Sequence, residues 1–153
     1  MSDFCIQKGD MAPDFQLPTA GDRIIKLSDF RGKKNVILSF HPLAWTGICA
    51  AQMEDLQKEI RTLNENDTIA LGISVDSVPS KLAWAESLGI KDVLMLSDFE
   101  PKGAVAKEYG IYREAGTSER AVFVVDKKGI VKYAKVYPIS EKPDLTEVLK
   151  VIL

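Results

Sequence analysis

Apolar residues fall into two patterns along this chain, short unbroken runs and stripes at helical period, and the two alternate. Val36 to Phe40 has the length and residue types of a strand buried on both faces. Pro42 cannot extend a ladder, so the strand ends there. From Gly47 to Asn64 the period changes. Cys49, Met53, Leu56, Ile60 and Leu63 step by 4, 3, 4 and 3, which predicts one face of a helix. Ile69 to Val75 reads as a second buried strand, and Asp76-Ser-Val-Pro79 opens a helix to about Leu88, closed by Gly89. Val93 to Leu96 predicts a short third strand, and Pro101 to Tyr109 a short helix ended by Gly110. Ala121 to Val125 is another buried strand, Asp126-Lys-Lys-Gly129 a hairpin turn, and Ile130 to Tyr137 the antiparallel return. A terminal helix begins near Pro143, with Leu145, Val148, Leu149 and Ile152 on its core stripe.

Ahead of these, residues 1–13 read as a partly extended lead-in closed by Ala12-Pro13. Asp14 to Pro18 and Arg23 to Leu27 flank the turn Thr19-Ala-Gly-Asp22 and predict a small hairpin. Ser28 to Gly32 predicts one helical turn with Ser28 as its cap. The order is hairpin, then β-α-β-α-β-α, then β-β-α. Crossover helices between apolar strands require a parallel central portion covered on both faces, and the closing hairpin makes the sheet mixed. The fold class is therefore α/β, and the order resembles a thioredoxin-like core. To that core are added an N-terminal β-hairpin extension and an insertion around residues 97–116. All of it falls in a single domain, 1–153.

Composition narrows the function without naming it. A length of 153 residues and 46% hydrophobic content suffice for one substantial core. The net charge of −2 gives no reason to expect nucleic acid or an anionic membrane as partner. No apolar run approaches the roughly 20 residues that span a bilayer, and the first residues lack the basic-then-apolar order of a signal peptide. The expected setting is a reducing cytoplasm, where the two cysteines stand as free thiols rather than a structural disulfide. One His and two Cys offer no metal cluster.

The candidate chemistry lies where the first buried strand meets its helix. Cys49 falls in a first helical turn, where unpaired N–H groups and the positive dipole end favour a thiolate, the nucleophilic form. Spacing alone leaves a second reading open, because Cys49 shares its stripe with Met53 and Leu56 and free cysteine is commonly buried. Strand ends followed by helix N-termini are where open α/β folds place ligands, which favours the site. Thr46, three residues earlier, shares the helix face or simply caps it. Pro42 ends the strand, and packed over the thiol it also limits water. Arg120, just before five apolar residues, reads on its own as a solvated strand end.

Pro42-Leu-Ala-Trp-Thr46-Gly-Ile-Cys49 resembles the Pro-x-x-x-Thr-x-x-Cys motif of peroxiredoxins. Ala12-Pro13-Asp14-Phe15, Phe40 and the strand Arg120 to Asp126 are similar to that family too, so the resemblance covers essentially the whole chain. It implies a peroxidatic Cys49, a Thr46 hydroxyl that positions the peroxide, and a Pro42 that shields the thiolate. Arg120 then supports the thiolate and polarises the peroxide. The implied reaction is attack on a peroxide oxygen, leaving a sulfenic acid on Cys49, with no cofactor. Hydrogen peroxide, organic hydroperoxides and peroxynitrite are the implied substrates.

Three departures shape the rest. Gln52 stands where many members carry an acidic residue, which keeps an acceptor and removes a charge. His41 stands where an aromatic is usual, and reads as a packed strand-end residue ahead of an acid–base group. No cysteine occupies the common resolving positions, Glu54 included. The chain then resembles the one-cysteine AhpE-like or short BCP-like branch. That branch implies re-reduction by an external thiol, of thioredoxin, glutaredoxin or mycoredoxin type or of low molecular weight. Cys5 is either an incidental residue of the lead-in or a non-standard resolver. The resemblance also implies a homodimer with the Trp45 loop near its contact, whereas Trp45 and Trp84 read as packing residues by themselves. The alternatives are a peroxide-sensing redox-relay protein and a thioredoxin-like disulfide reductase. The latter needs paired thiols, and Thr46-Gly-Ile-Cys49 offers one.

Overall fold

The computed structural model describes residues 5–153. Its central sheet has the order β5-β4-β3-β6-β7, built from β3 (Asn35–Phe40), β4 (Thr68–Ser74), β5 (Leu94–Ser97), β6 (Arg120–Val125) and β7 (Val131–Tyr137). The pairs β3–β4 and β4–β5 are parallel, whereas β6 pairs antiparallel with both β3 and β7. The sheet is mixed for the reason the sequence gives: helical crossovers join the first three strands, and the turn Asp126–Gly129 joins the last two. In that turn the Asp126 carboxylate accepts from the Lys128 and Ile130 amides.

Alternation along β3 and β6 assigns two cores. Val36, Leu38 and Phe40 share one face with Ala121, Phe123 and Val125. The hairpin of β1 (Gln16–Thr19) and β2 (Arg23–Lys26) and the short helix α4 (Ala104–Glu108) cover that face. Ile37, Val122 and Val124 lie on the other, beneath α1 (Gly47–Lys58), α2 (Ile60–Glu65), α3 (Val78–Leu88) and α5 (Leu145–Ile152). Ser39, His41 and Arg120 have the parity of this helix-covered face, so the sheet sends three polar side chains into this layer.

The expected helix Gly47–Asn64 is two helices. Glu59 leaves helical geometry at φ −98° and ψ 12°, and α2 restarts on the other side of it. No Gly or Pro marks the break. The tightened turn keeps Leu56 and Leu63 both buried in the same core despite a stripe spaced nearer 3.5 than 3.6. The turn near residue 28 is a 3-10 turn, Leu27–Phe30, and Ser28 does not cap it. Instead the Ser28 amide donates to the Asp14 carboxylate and ties this turn to the start of the hairpin. The helix from Val78 is stopped by Gly89 in the left-handed region, as the sequence predicts, and the Ser77 hydroxyl caps its start.

Candidate functional site

Cys49 sits in the first turn of α1, 1% exposed, at the C-terminal edge of β3. Arg120 is the first residue of β6, whose register sets it next to the end of β3 on the helix face. That register closes a separation of 71 residues. Arg120 Nη1 lies 3.2 Å from Cys49 Sγ and 3.0 Å from Gln52 Oε1. Its Nε and Nη2 donate to the Ile139 carbonyl at 3.2 and 2.8 Å. The guanidinium is thus fixed on both edges, with one N–H end turned to the sulfur. A buried guanidinium at that distance is a charged hydrogen-bond donor aimed at the sulfur.

Gln52 and Ser39 complete the support. Gln52 Nε2 donates to Ser39 Oγ at 2.7 Å and to the Phe40 carbonyl at 3.1 Å, while its oxygen accepts from Arg120. Every polar atom of this buried amide is satisfied, which fixes its orientation. A carboxylate in its place keeps the bond to Arg120 and loses both donors.

The loop Pro42–Thr46 forms the mouth. Pro42 is buried and Thr46 exposed, and the two join Cys49, Arg120, Ile139 and Ser140 in lining one open cleft. Thr46 holds the N-cap position by backbone geometry, yet its hydroxyl donates to the Leu43 carbonyl at 2.8 Å and caps nothing. The hydroxyl oxygen therefore keeps lone pairs free. Trp45 has φ +68°, an uncommon conformation for a bulky residue, and its indole N–H bonds Ser80 Oγ at 3.1 Å. Asp76 anchors the loop from β4, accepting from the Ala44 amide at 2.8 Å and the Ser74 hydroxyl at 2.7 Å. Ser118 Oγ bonds the His41 carbonyl from the other side, at 3.3 Å.

The sequence-derived residues Pro42, Thr46, Cys49, Gln52 and Arg120 come together in space. Cys5 does not. It packs against the hairpin-covered core and Cys49 lies in the helix-covered one, so the sheet separates the two free thiols. Burial and the nearby Asp10 carboxylate also push the Cys5 thiol up, away from the reactive form. The solvated strand end that Arg120 suggested on its own is not what forms, since it is 3% exposed.

His41 is packed, as the strand-end reading has it. Its ring is fully buried against Trp84, with centroids 5.3 Å apart. Desolvation, then the Lys81 charge, holds it neutral, well below the usual histidine range. Three residues escape the sequence reading: Ile139, Asp76 and Lys81. A backbone carbonyl such as that of Ile139 leaves no trace in side-chain chemistry. Lys81 did leave one, because Lys81, Trp84, Ala85 and Leu88 share a helical stripe.

Known proteins resemble this chain in sequence and in fold. Residues 8–134 match the model of the AhpC/TSA family. The chain is 41% identical over 137 residues to alkyl hydroperoxide reductase E of Mycobacterium tuberculosis, covering 89% of each protein. It is 32% identical to a chloroplastic 2-cysteine peroxiredoxin of Chattonella marina, covering 96% of this chain and 79% of that one. The solved peroxidoxin BcpB of Mycobacterium tuberculosis superposes with a TM-score of 0.87 at 26% identity, covering 96% of each chain. By this match and these identities the chain belongs to the AhpC/TSA family of peroxiredoxins, which are thiol-dependent peroxidases.

Proposed function

We propose that Cys49 is the peroxidatic cysteine of a one-cysteine peroxidase that is re-reduced by an external thiol. The observation that carries this reading is the contact of 3.2 Å between Arg120 Nη1 and Cys49 Sγ at the floor of an open cleft. The Cys49 thiolate attacks one peroxide oxygen, the O–O bond breaks, and the departing oxygen takes a proton to leave as water or an alcohol. Cys49 becomes a sulfenic acid. An incoming thiol then bonds the sulfur and releases water, and a second thiol breaks the mixed disulfide. Thr46 positions the peroxide, Pro42 keeps water from the thiolate, and Arg120 stabilises negative charge on sulfur and on the oxygens.

Hydroperoxides are the proposed substrate class, in line with the name of the mycobacterial relative, and peroxynitrite reacts by the same attack. A thioredoxin-, glutaredoxin- or mycoredoxin-type protein or a small thiol is the proposed reductant. The sheet between Cys5 and Cys49 favours this over Cys5 as resolver within the chain. The cytoplasm suits a thiol that must return to its reduced state. Exposed Leu43, Trp45 and Leu82 support a homodimer through the Trp45 loop, with residues 1–153 acting as a single unit. Among the described residues no helix is long and apolar enough to cross a membrane.

Intact mass after one equivalent of peroxide tests the reading. A species about 16 Da heavier, trapped by a sulfenic-acid reagent and lost in Cys49→Ser, is the expected result. Loss of two hydrogens or a disulfide-linked dimer makes Cys5 the resolver. Peroxide consumption by Cys49→Ser at the native rate overturns the mechanism.

A further inference from the structure

Behind the peroxide site lies a second polar cluster that the reaction above does not use. Lys81 is 1% exposed, which is exceptional for an unpaired lysine. Its Nζ donates to the Gly72 carbonyl at 3.1 Å and lies 3.1 Å from His41 Nε2. His41 Nδ1 faces the Ser39 carbonyl at 3.4 Å, an acceptor only, so the ring proton sits on Nδ1 and Nε2 accepts from Lys81. The cluster adjoins the helix that carries Cys49. A Cβ built on Gly72 would lie 2.6 Å from Met53 Sδ and 3.5 Å from His41 Cε1, and Met53 is one turn beyond Cys49. No glycine conformation is at stake there. The missing side chain is what leaves room for the His41 ring and the Met53 and Met95 sulfurs to converge beside the carbonyl that Lys81 binds.

The charged and titratable groups facing this cluster come from each neighbouring element. Cys49 lies on α1 in the same buried layer, Asp76 just past the end of β4, and Arg120 at the start of β6. Asp76 and an ionised Cys49 favour the charged lysine, and burial opposes it more strongly.

We propose that Lys81, held by His41 and Gly72, is a positioning residue whose ammonium charge is linked to the Cys49 thiolate. It acts through charge and touches no substrate. The two sites share one coupling free energy, and such linkage is reciprocal. Ionising Cys49 tightens the proton on Lys81, and protonating Lys81 favours the thiolate by the same factor. Burial brings Lys81 down to about 7, so the linked proton exchanges with solvent within the neutral range rather than far above it. Reactivity of Cys49 then carries a step near neutrality that a permanent charge such as Arg120 cannot supply.

The proposal deepens the peroxidase reading but is tested without peroxide. In a Cys5→Ser background, the side-chain NMR signals of Lys81 are titrated with Cys49 present and with Cys49→Ser. In parallel, the Cys49 thiolate is titrated by its ultraviolet absorbance, with Lys81 present and with Lys81→Met. The expected result is a lower Lys81 midpoint in the Cys49→Ser protein and a higher Cys49 midpoint in the Lys81→Met protein. The two shifts are equal, about fivefold in proton affinity or more, which is about 0.7 pH unit. Independent midpoints, or a Lys81 midpoint that stays near 10.5, overturn the proposal. The lysine titration needs no Lys81 variant, so a variant that fails to fold leaves a decisive result. Absence of peroxidase activity with coupling intact would sink the function and spare the linkage.

Discussion

Arg120 and Cys49 meet across 71 residues of sequence, and the nitrogen that reaches the sulfur also bonds Gln52. One N–H end thus serves both the Cys49 sulfur and the amide that holds the guanidinium in place. The other edge of the guanidinium is spent on the Ile139 carbonyl. The cation is held in place by both edges, so in the proposed reaction it needs no reorganisation as charge moves from sulfur to oxygen.

Arg120→Met removes that oriented donor and charge. The expected outcome is a fall of about a hundredfold or more in the second-order rate of sulfenic acid formation. Stopped-flow fluorescence against hydrogen peroxide measures it, and a rate within a factor of two of the native protein refutes the role. Cys5→Ser is expected to leave the rate nearly unchanged.

Gln52→Glu tests the departure from the acidic residue common at this position. The carboxylate keeps the bond to Arg120 but faces the Phe40 carbonyl, where the native amide donates at 3.1 Å. Two acceptors facing each other in the core cost about 1–3 kcal/mol. A lower denaturant midpoint with an unchanged slope is expected, and the added negative charge slows the reaction by drawing Arg120 away from sulfur.

Asp76→Ala leaves the Ala44 amide without its acceptor and loosens the loop from Pro42 to Thr46. The fold is retained and the peroxide rate drops, by up to about a hundredfold if the Thr46 hydroxyl shifts by an ångström. Asp76→Asn keeps an oxygen for that amide and restores most of the rate. Equal rates in both variants and the native protein would remove Asp76 from the site.

Stability should depend on pH through the buried pair. Burial brings Lys81 down to about 7 in the folded chain from its ordinary 10.5. Between those values the unfolded chain holds a proton that the folded chain lacks, so stability from this residue rises with pH across the window. His41 stays neutral when folded and has an ordinary value of 6.5. Below that value only the unfolded chain gains its proton, so stability falls as pH drops. Thermal midpoints against pH check both slopes. Lys81→Met flattens the curve above pH 7 and His41→Phe flattens it below about 6.5.

Much of the site was legible in the chain because it is local. Pro42, Thr46 and Cys49 lie within one strand-to-helix turn, and backbone period alone sets Cys49 at the helix start. The buried strands, the closing hairpin and the capped helix from Val78 follow equally from short-range pattern. The break at Glu59 was not legible, since no residue there disfavours a helix and only packing onto β4 resolves the drift of the stripe. Nor was the failure of Thr46 to cap, which depends on where the Leu43 carbonyl points.

By itself the sequence determined the α/β order, the turn that presents Cys49, and the residue types available to assist it. Tertiary structure alone decided that Arg120 is buried against sulfur rather than solvated, because strand register, not spacing, sets which side chains meet. It also decided that Cys5 and Cys49 lie on opposite faces of the sheet, and that Lys81 is buried within reach of His41. Each of these depends on desolvation and on contacts between distant segments. Those terms exist only once the sheet has assembled and water has left its faces.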